Sequence, residues 1–168
     1  MNFWNVFFGV FSGIIAGVCI NLIIKWIRDY SYRKRLIKNL KFEFDFNVKK
    51  IDSFLEELNE YRNKANADSL VDYFGFFHLS KIITTTLIQL LNSGLMYKFL
   101  YHEDIAMLQN FLSDFSLGTE GYMNNQIEWM RKHHSEQGTR QHVNNNITFW
   151  EKKFKENRKL VKQIRDKL

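Results

Sequence analysis

Arg131 to Asn146, RKHHSEQGTRQHVNNN, gathers cations, imidazoles and amides in one short stretch: Arg131, Lys132, His133, His134, Arg140, His142, Asn144 and Asn145. Guanidinium and ammonium groups bind phosphate, and the N–H groups at a helix start add further donors. Asn and Gln amides can read the edge of a base, while His, Trp129 or Trp150 can stack on one. The composition therefore suits a small polyanion such as a nucleotide. It equally describes a solvated basic loop that balances an acidic region of the same domain. Acid–base or metal chemistry has weaker support. His102-Glu103-Asp104 and the trio His133, His134 and His142 are the clusters that resemble such sites. On a helix, however, adjacent His133 and His134 point ~100° apart and cannot face one ion without distortion. H-E-x-x-H, Walker, dinucleotide-fingerprint, G-x-S-x-G and zinc-finger patterns are all missing, and Gly118-Thr119-Glu120-Gly121 lacks the lysine of a phosphate loop. No catalytic residue, metal or cofactor is expected, so the chain reads as a non-enzyme.

These residues must be positioned by a chain that starts with a membrane signal. Val6 to Ile24, VFFGVFSGIIAGVCINLII, holds no charge and no proline over nineteen residues. As a helix it is ~28 Å long, close to the ~30 Å hydrocarbon thickness of a bilayer. Trp4 and Trp26 bracket it, with Tyr30 and Tyr32 beyond, where amphipathic rings favour the headgroup layer. A signal peptide would need positive charge before a shorter apolar core. A lipoprotein signal fails because Val18 precedes Cys19. A buried helix of a soluble core is the remaining alternative. Inside the span Gly9, Gly13 and Gly17 recur every fourth residue, and Asn5 and Asn21 extend the row. Small residues at this spacing let helix backbones approach closely in lipid, where hiding apolar groups from each other gains nothing. With one span per chain, the expected partner is another copy; the alternative is a glycine-rich anchor without a partner. All seven basic residues up to position 41 follow the span. The positive-inside rule then puts a single-pass chain in the inner (cytoplasmic) membrane, N-terminus outside and C-terminal domain in the cytoplasm.

The net charge of +6 is carried by these flanking bases, and residues 42–168 are neutral as a whole. Within them, residues 42–130 hold an acidic excess and residues 131–168 a basic one. Membrane topology and anionic lipid account for the first basic cluster; the acidic middle can account for the second. Nothing here favours duplex DNA. A single Cys inside the span excludes a disulfide framework within the chain. Sixteen Phe, seven Tyr and four Trp supply a core, and zero Pro with few Gly favour helices.

The resulting expectation is an all-α chain: residues 1–30, one transmembrane helix with aromatic and basic flanks, then residues 31–168, a helical cytosolic domain that senses a ligand or docks a partner. Tyr32 to Arg62 forms a long amphipathic helix through Ile37, Leu40, Phe44, Val48, Ile51, Leu55 and Leu58, widened by Phe42 and Phe46. The run Tyr73-Phe74-Gly75-Phe76-Phe77 is a short helix or a buried turn. Ser80 caps a helix over 81–91, closed by Asn92-Ser93-Gly94. Residues 95–100 are ambiguous and fit an extended stretch. Helices over 103–117, ended by Gly118, and over 119–133 follow. The last helix carries Val143, Ile147, Trp150, Phe154, Asn157, Val161, Ile164 and Leu168 at a 4-3-4-3 spacing. That is a coiled-coil seam with Asn157 setting register, or a stripe packed within the chain with Asn157 near the surface.

An N-out single span, a basic collar and a small helical domain ending in a basic segment together resemble the small membrane effectors of type III CRISPR defence. The residues that could carry the resemblance are the Gly9/Gly13/Gly17 row and the Arg131–Asn146 stretch; the strand–helix alternation of a CARF fold is missing. The resemblance implies an oligomeric membrane effector that binds cyclic tetra-adenylate in its cytosolic domain and perturbs the bilayer. Its partners would be lipid, further copies of the chain and the cyclic oligoadenylate. The competing expectation is a membrane-anchored oligomeric adaptor that docks another protein and binds no small molecule.

Overall fold

Sixty-four residues free of proline form one helix, α1 (Phe3–Asn66), which contains both the apolar stretch and the amphipathic stretch expected after it. Four more helices follow: α2 (Thr85–Asn92), α3 (His102–Asp114), α4 (Leu117–Lys132) and α5 (Thr139–Lys167). In this computed structural model residues 3–67, 69–73 and 75–168 are described, and no strand occurs among them. Asp68 and Phe74 of the loops lie outside the described residues, and Asn5 and Gly9 of the small-residue row belong to α1 but lie outside the residues whose side chains are described. The fold is all-α, and α1 is long and apolar enough near its start to cross a membrane.

The chain divides into two compact units, Met1–Asn39 and Leu40–Leu168. In the first, the large apolar side chains from Phe7 to Ile27 are all exposed, as lipid-facing residues are. A methyl group on Gly13 or Gly17 would meet nothing within 4 Å, so packing within the chain does not require either glycine.

In the second unit, one face of α1 (Leu40, Phe44, Ile51, Phe54, Leu58 and Tyr61) is buried against the other helices. Phe42 departs from the expected wide stripe. It is 68% exposed, because its neighbours Glu43 and Phe44 already take the inward positions. The stripe of α5 is spent inside the chain. Val143, Ile147, Phe154, Val161 and Ile164 are fully buried, which removes the coiled-coil seam. Asn157 is not near the surface either: it is 5% exposed and donates to Asp114 Oδ2 at 3.0 Å. Phe154 sits at the centre, its ring 5.7 Å from both Phe54 and Phe115 and 6.0 Å from Trp150.

Four bases of α5 pair with carboxylates on two other helices. Arg158 pairs with Asp52 and Arg165 with Asp45 on α1, at 2.5 and 2.8 Å. Lys153 pairs with Asp114 and Lys167 with Asp104 on α3, at 2.7 and 2.6 Å. Asp104 is 4% exposed, so this last pair is the most shielded from solvent on its acidic side. The acidic middle therefore does balance the C-terminal charge along α5, and at the start of the 131–146 stretch Lys132 pairs with Glu128.

The described residues of 67–84 form no α-helix, and side chains from helices distant in sequence hold parts of their backbone. Asn47 accepts from the Ile83 N–H at 2.8 Å and donates to its carbonyl at 2.7 Å. Asn124 does the same for Phe77, at 2.9 Å each way. The N–H of Ser80 donates to Glu120 at 2.7 Å, so Ser80 is no helix cap. Instead α2 begins at Thr85, where buried Glu43 accepts from the Thr86 and Leu87 N–H groups at 2.7 and 3.3 Å. Its end is as expected, with Gly94 left-handed at φ +70°. Residues 95–98 are a 3-10 turn, not extended. Gly118 does not end α3; Ser116 caps α4, and Gly118 lies in its first turn.

Tyr73 is 4% exposed, its ring 4.7 Å from Tyr61. Burial pushes both hydroxyls up, that of Tyr73 to about 12, with the Glu57 and Glu60 carboxylates adding to the effect. A Cβ on Gly75 would lie 2.5 Å from the Tyr73 hydroxyl oxygen. Gly75→Ala should therefore displace a buried ring and cost about 1–3 kcal/mol, the range for an overpacked core. Chemical denaturation of the variant against the parent checks this; equal stability would mean that Tyr73 swings away freely.

Candidate functional site

The turn between α4 and α5 is built from its own polar groups. At the end of α4, the His133 N–H donates to the Trp129 carbonyl at 3.1 Å, and the His133 carbonyl accepts from the Thr139 hydroxyl at 2.8 Å. Gly138, at φ +90°, turns the chain into α5 in a conformation that side chains rarely adopt. With no side chain, Gly138 gives α5 no side-chain cap. The first turn of α5 thus carries the positive end of its helix dipole to the surface.

Beside this turn lies a pocket of about 400 Å³ lined by His134, Ser135, Glu136, Gly138, Thr139 and Arg140, with Ala65 and Leu70 as its far wall. Two of the expected residues, His134 and Arg140, meet here. Two others gather around Trp129 instead. His133 stacks on its ring at 4.5 Å and His142 approaches it edge-on at 5.7 Å. Trp129 is 44% exposed, so part of its surface is open to a planar ligand. Trp150 is 5% exposed beneath Tyr122, Phe149 and Phe154, which corrects the expectation that it could stack on a base.

The remaining expected residues do not converge. Lys132 is exposed and pairs with Glu128 at 2.7 Å; that hydrogen-bonded ammonium holds the Glu128 carboxyl below the usual range. Arg131 is half-buried in the last turn of α4, and its carbonyl accepts from His134. Asn144 and Asn145 lie further along α5 and are not among the pocket residues. At 100° per residue, Arg140 and Asn144 share one flank of α5, while His142 and Asn145 lie on the other. Of the eight residues, His134 and Arg140 thus line the pocket, and His133 and His142 lie against Trp129.

Ala65, in the last turn of α1, and Leu70 have no polar signature, and composition alone did not mark them as site residues. Glu136 is the opposing feature, a carboxylate in a pocket otherwise suited to an anion. Among the described residues, no three His, Cys, Asp or Glu side chains come together as metal ligands would. Comparison with protein-family models, curated proteins and solved structures finds no match for the chain.

Proposed function

We propose that the chain is an oligomeric membrane effector in which the corner between α4 and α5 binds a cyclic oligonucleotide, cyclic tetra-adenylate first among them, and that binding leads to perturbation of the bilayer in antiviral defence. The observation that carries this reading is the pocket at the uncapped start of α5, with Arg140 and His134 in its wall. A phosphate there would meet a guanidinium, an imidazole and a helix N-terminus together. The far wall includes Ala65, in the last turn of the helix that also contains the apolar stretch. A ligand in the pocket would act directly on the end of α1. Self-association through Gly13 and Gly17 fits their open surfaces. A cyclic ligand with four phosphates could then be met by the same corner from several copies. The bases that follow the apolar stretch support an N-terminus outside and a second unit in the cytoplasm.

Calorimetric titration of the detergent-solubilised full chain with cyclic tetra-adenylate tests the reading. Arg140→Ala should weaken binding at least about tenfold, since one charge-assisted hydrogen bond is worth ~1.5–3 kcal/mol. Added salt should weaken it further, because exposed charges are screened over ~8–10 Å. Absence of binding by the parent chain would overturn the proposal and leave the adaptor reading. That reading draws on Tyr97, Phe99 and Tyr101, three rings exposed within five residues.

A further inference from the structure

We infer, resting on the proposed ligand class, that anion binding at the corner between α4 and α5 is coupled to proton uptake, with His133 and His134 as the groups that take up the proton. Each imidazole has its Nδ1 committed to a main-chain carbonyl: His133 to Trp129 at 2.7 Å and His134 to Arg131 at 3.0 Å. A carbonyl only accepts, so Nδ1 carries the hydrogen in both rings and Nε2 is the atom left to gain a proton. In His133, Nε2 stands 3.9 Å from a Glu136 carboxylate oxygen. His134 lines the pocket together with that same Glu136 and with Arg140.

This arrangement gives protonation two consequences of the same sign. A proton on His133 sets a cation against Glu136, the one carboxylate among the described residues of the pocket wall, and offsets its repulsion of an incoming phosphate. A proton on His134 adds a charged donor to the pocket itself. Among the described residues, the other charged or titratable groups at the corner are Arg131 and the Lys132–Glu128 pair on α4, and Arg140 and His142 on α5, the last across the Trp129 ring. Of the described residues of α1 and the 3-10 turn at Leu70–Asp72, the pocket wall receives Ala65 and Leu70, both uncharged. Imidazoles as a class change charge between about pH 5 and 8, the range across which cytoplasmic acidification would act.

The test is a series of titrations of the full chain in detergent with cyclic tetra-adenylate, whose phosphodiesters keep their charge throughout, from about pH 8 to about pH 6. Affinity should rise at least about tenfold across the series, the gain from one charge-assisted contact. His133→Asn combined with His134→Asn preserves an amide donor for each carbonyl and removes the titrating nitrogen; the ratio of affinities at the two ends should then fall close to one. His102→Asn, remote from the corner, should leave the ratio as it is in the parent. Binding with no pH ratio, or with a ratio that survives the double substitution, would overturn the inference and leave the proposed ligand standing. Absence of binding at every pH would overturn both.

Discussion

Phe154→Ala should lower the stability of the second unit by about 3–5 kcal/mol, the range for emptying a large aromatic site in a core. The position joins four parts of the fold. The ring faces Phe54 from α1, Phe77 from the irregular segment, Phe115 from the α3–α4 junction and Trp150 from its own helix. Its neighbours are themselves rings held by further rings, so they cannot collapse into the space left behind. For a chain of this size the loss corresponds to roughly 10–15 °C in melting temperature, measured by circular dichroism in detergent. Phe154→Leu should cost markedly less, because most of the volume remains. A melting temperature within a degree or two of the parent for Phe154→Ala would mean that α5 is not seated in the core.

Glu43→Ala should rank second, at about 1–3 kcal/mol, because it strands buried main-chain groups rather than emptying a cavity. Glu43 is 5% exposed and accepts from two N–H groups in the first turn of α2. Thr84, at the N-cap position, makes no side-chain cap bond, so the carboxylate of a distant helix takes that part. Glu43→Gln keeps one accepting oxygen and loses the charge that favours the helix N-terminus, so its loss should be smaller than that of Glu43→Ala. The local consequence should be faster amide exchange at Thr86 and Leu87 in Glu43→Ala. Unchanged exchange there would show that α2 holds its first turn without outside help.

Helices with their own periodicity were legible in the sequence: the apolar face of α1, the Gly94 stop of α2 and the stripe of α5 all follow from local patterns. The start of α2 was not. Thr84 and Ser80 are ordinary capping residues by type, and only the fold brings Glu43 to Thr86, forty-three positions away. The segment after α1 was illegible for the same reason. Asn47 and Asn124 imitate the pairing of a neighbouring strand for Ile83 and Phe77, and an isolated Asn in a helix carries no sign of that role. The fate of Asn157 depended on Asp114, which supplies the acceptor that lets an amide be buried. Within the candidate site, the cations and imidazoles stood out by composition, but the division of four of them between the pocket and Trp129 follows from where α4 hands over to α5. The apolar wall at Ala65 and Leu70 could not be inferred, because it depends on the end of α1 lying beside a turn some seventy residues later.

The acidic partners that α5 finds on α1 and α3 precede it in the chain: Asp45, Asp52, Asp104 and Asp114 are all made before Thr139. The apolar stretch that ends at Ile24 leaves the ribosome much earlier than Ile164, the last fully buried residue of the helix. At ~5–20 residues per second, the intervening ~140 residues take roughly 7–28 s to synthesise. The apolar stretch is thus complete long before the globular unit can close. Throughout that interval the apolar face of α1 beyond residue 40 has no α5 to cover it, and neighbouring nascent chains expose that face to one another. The order of synthesis makes the half-made chain, not the finished one, the form most open to chaperones and to misassembly.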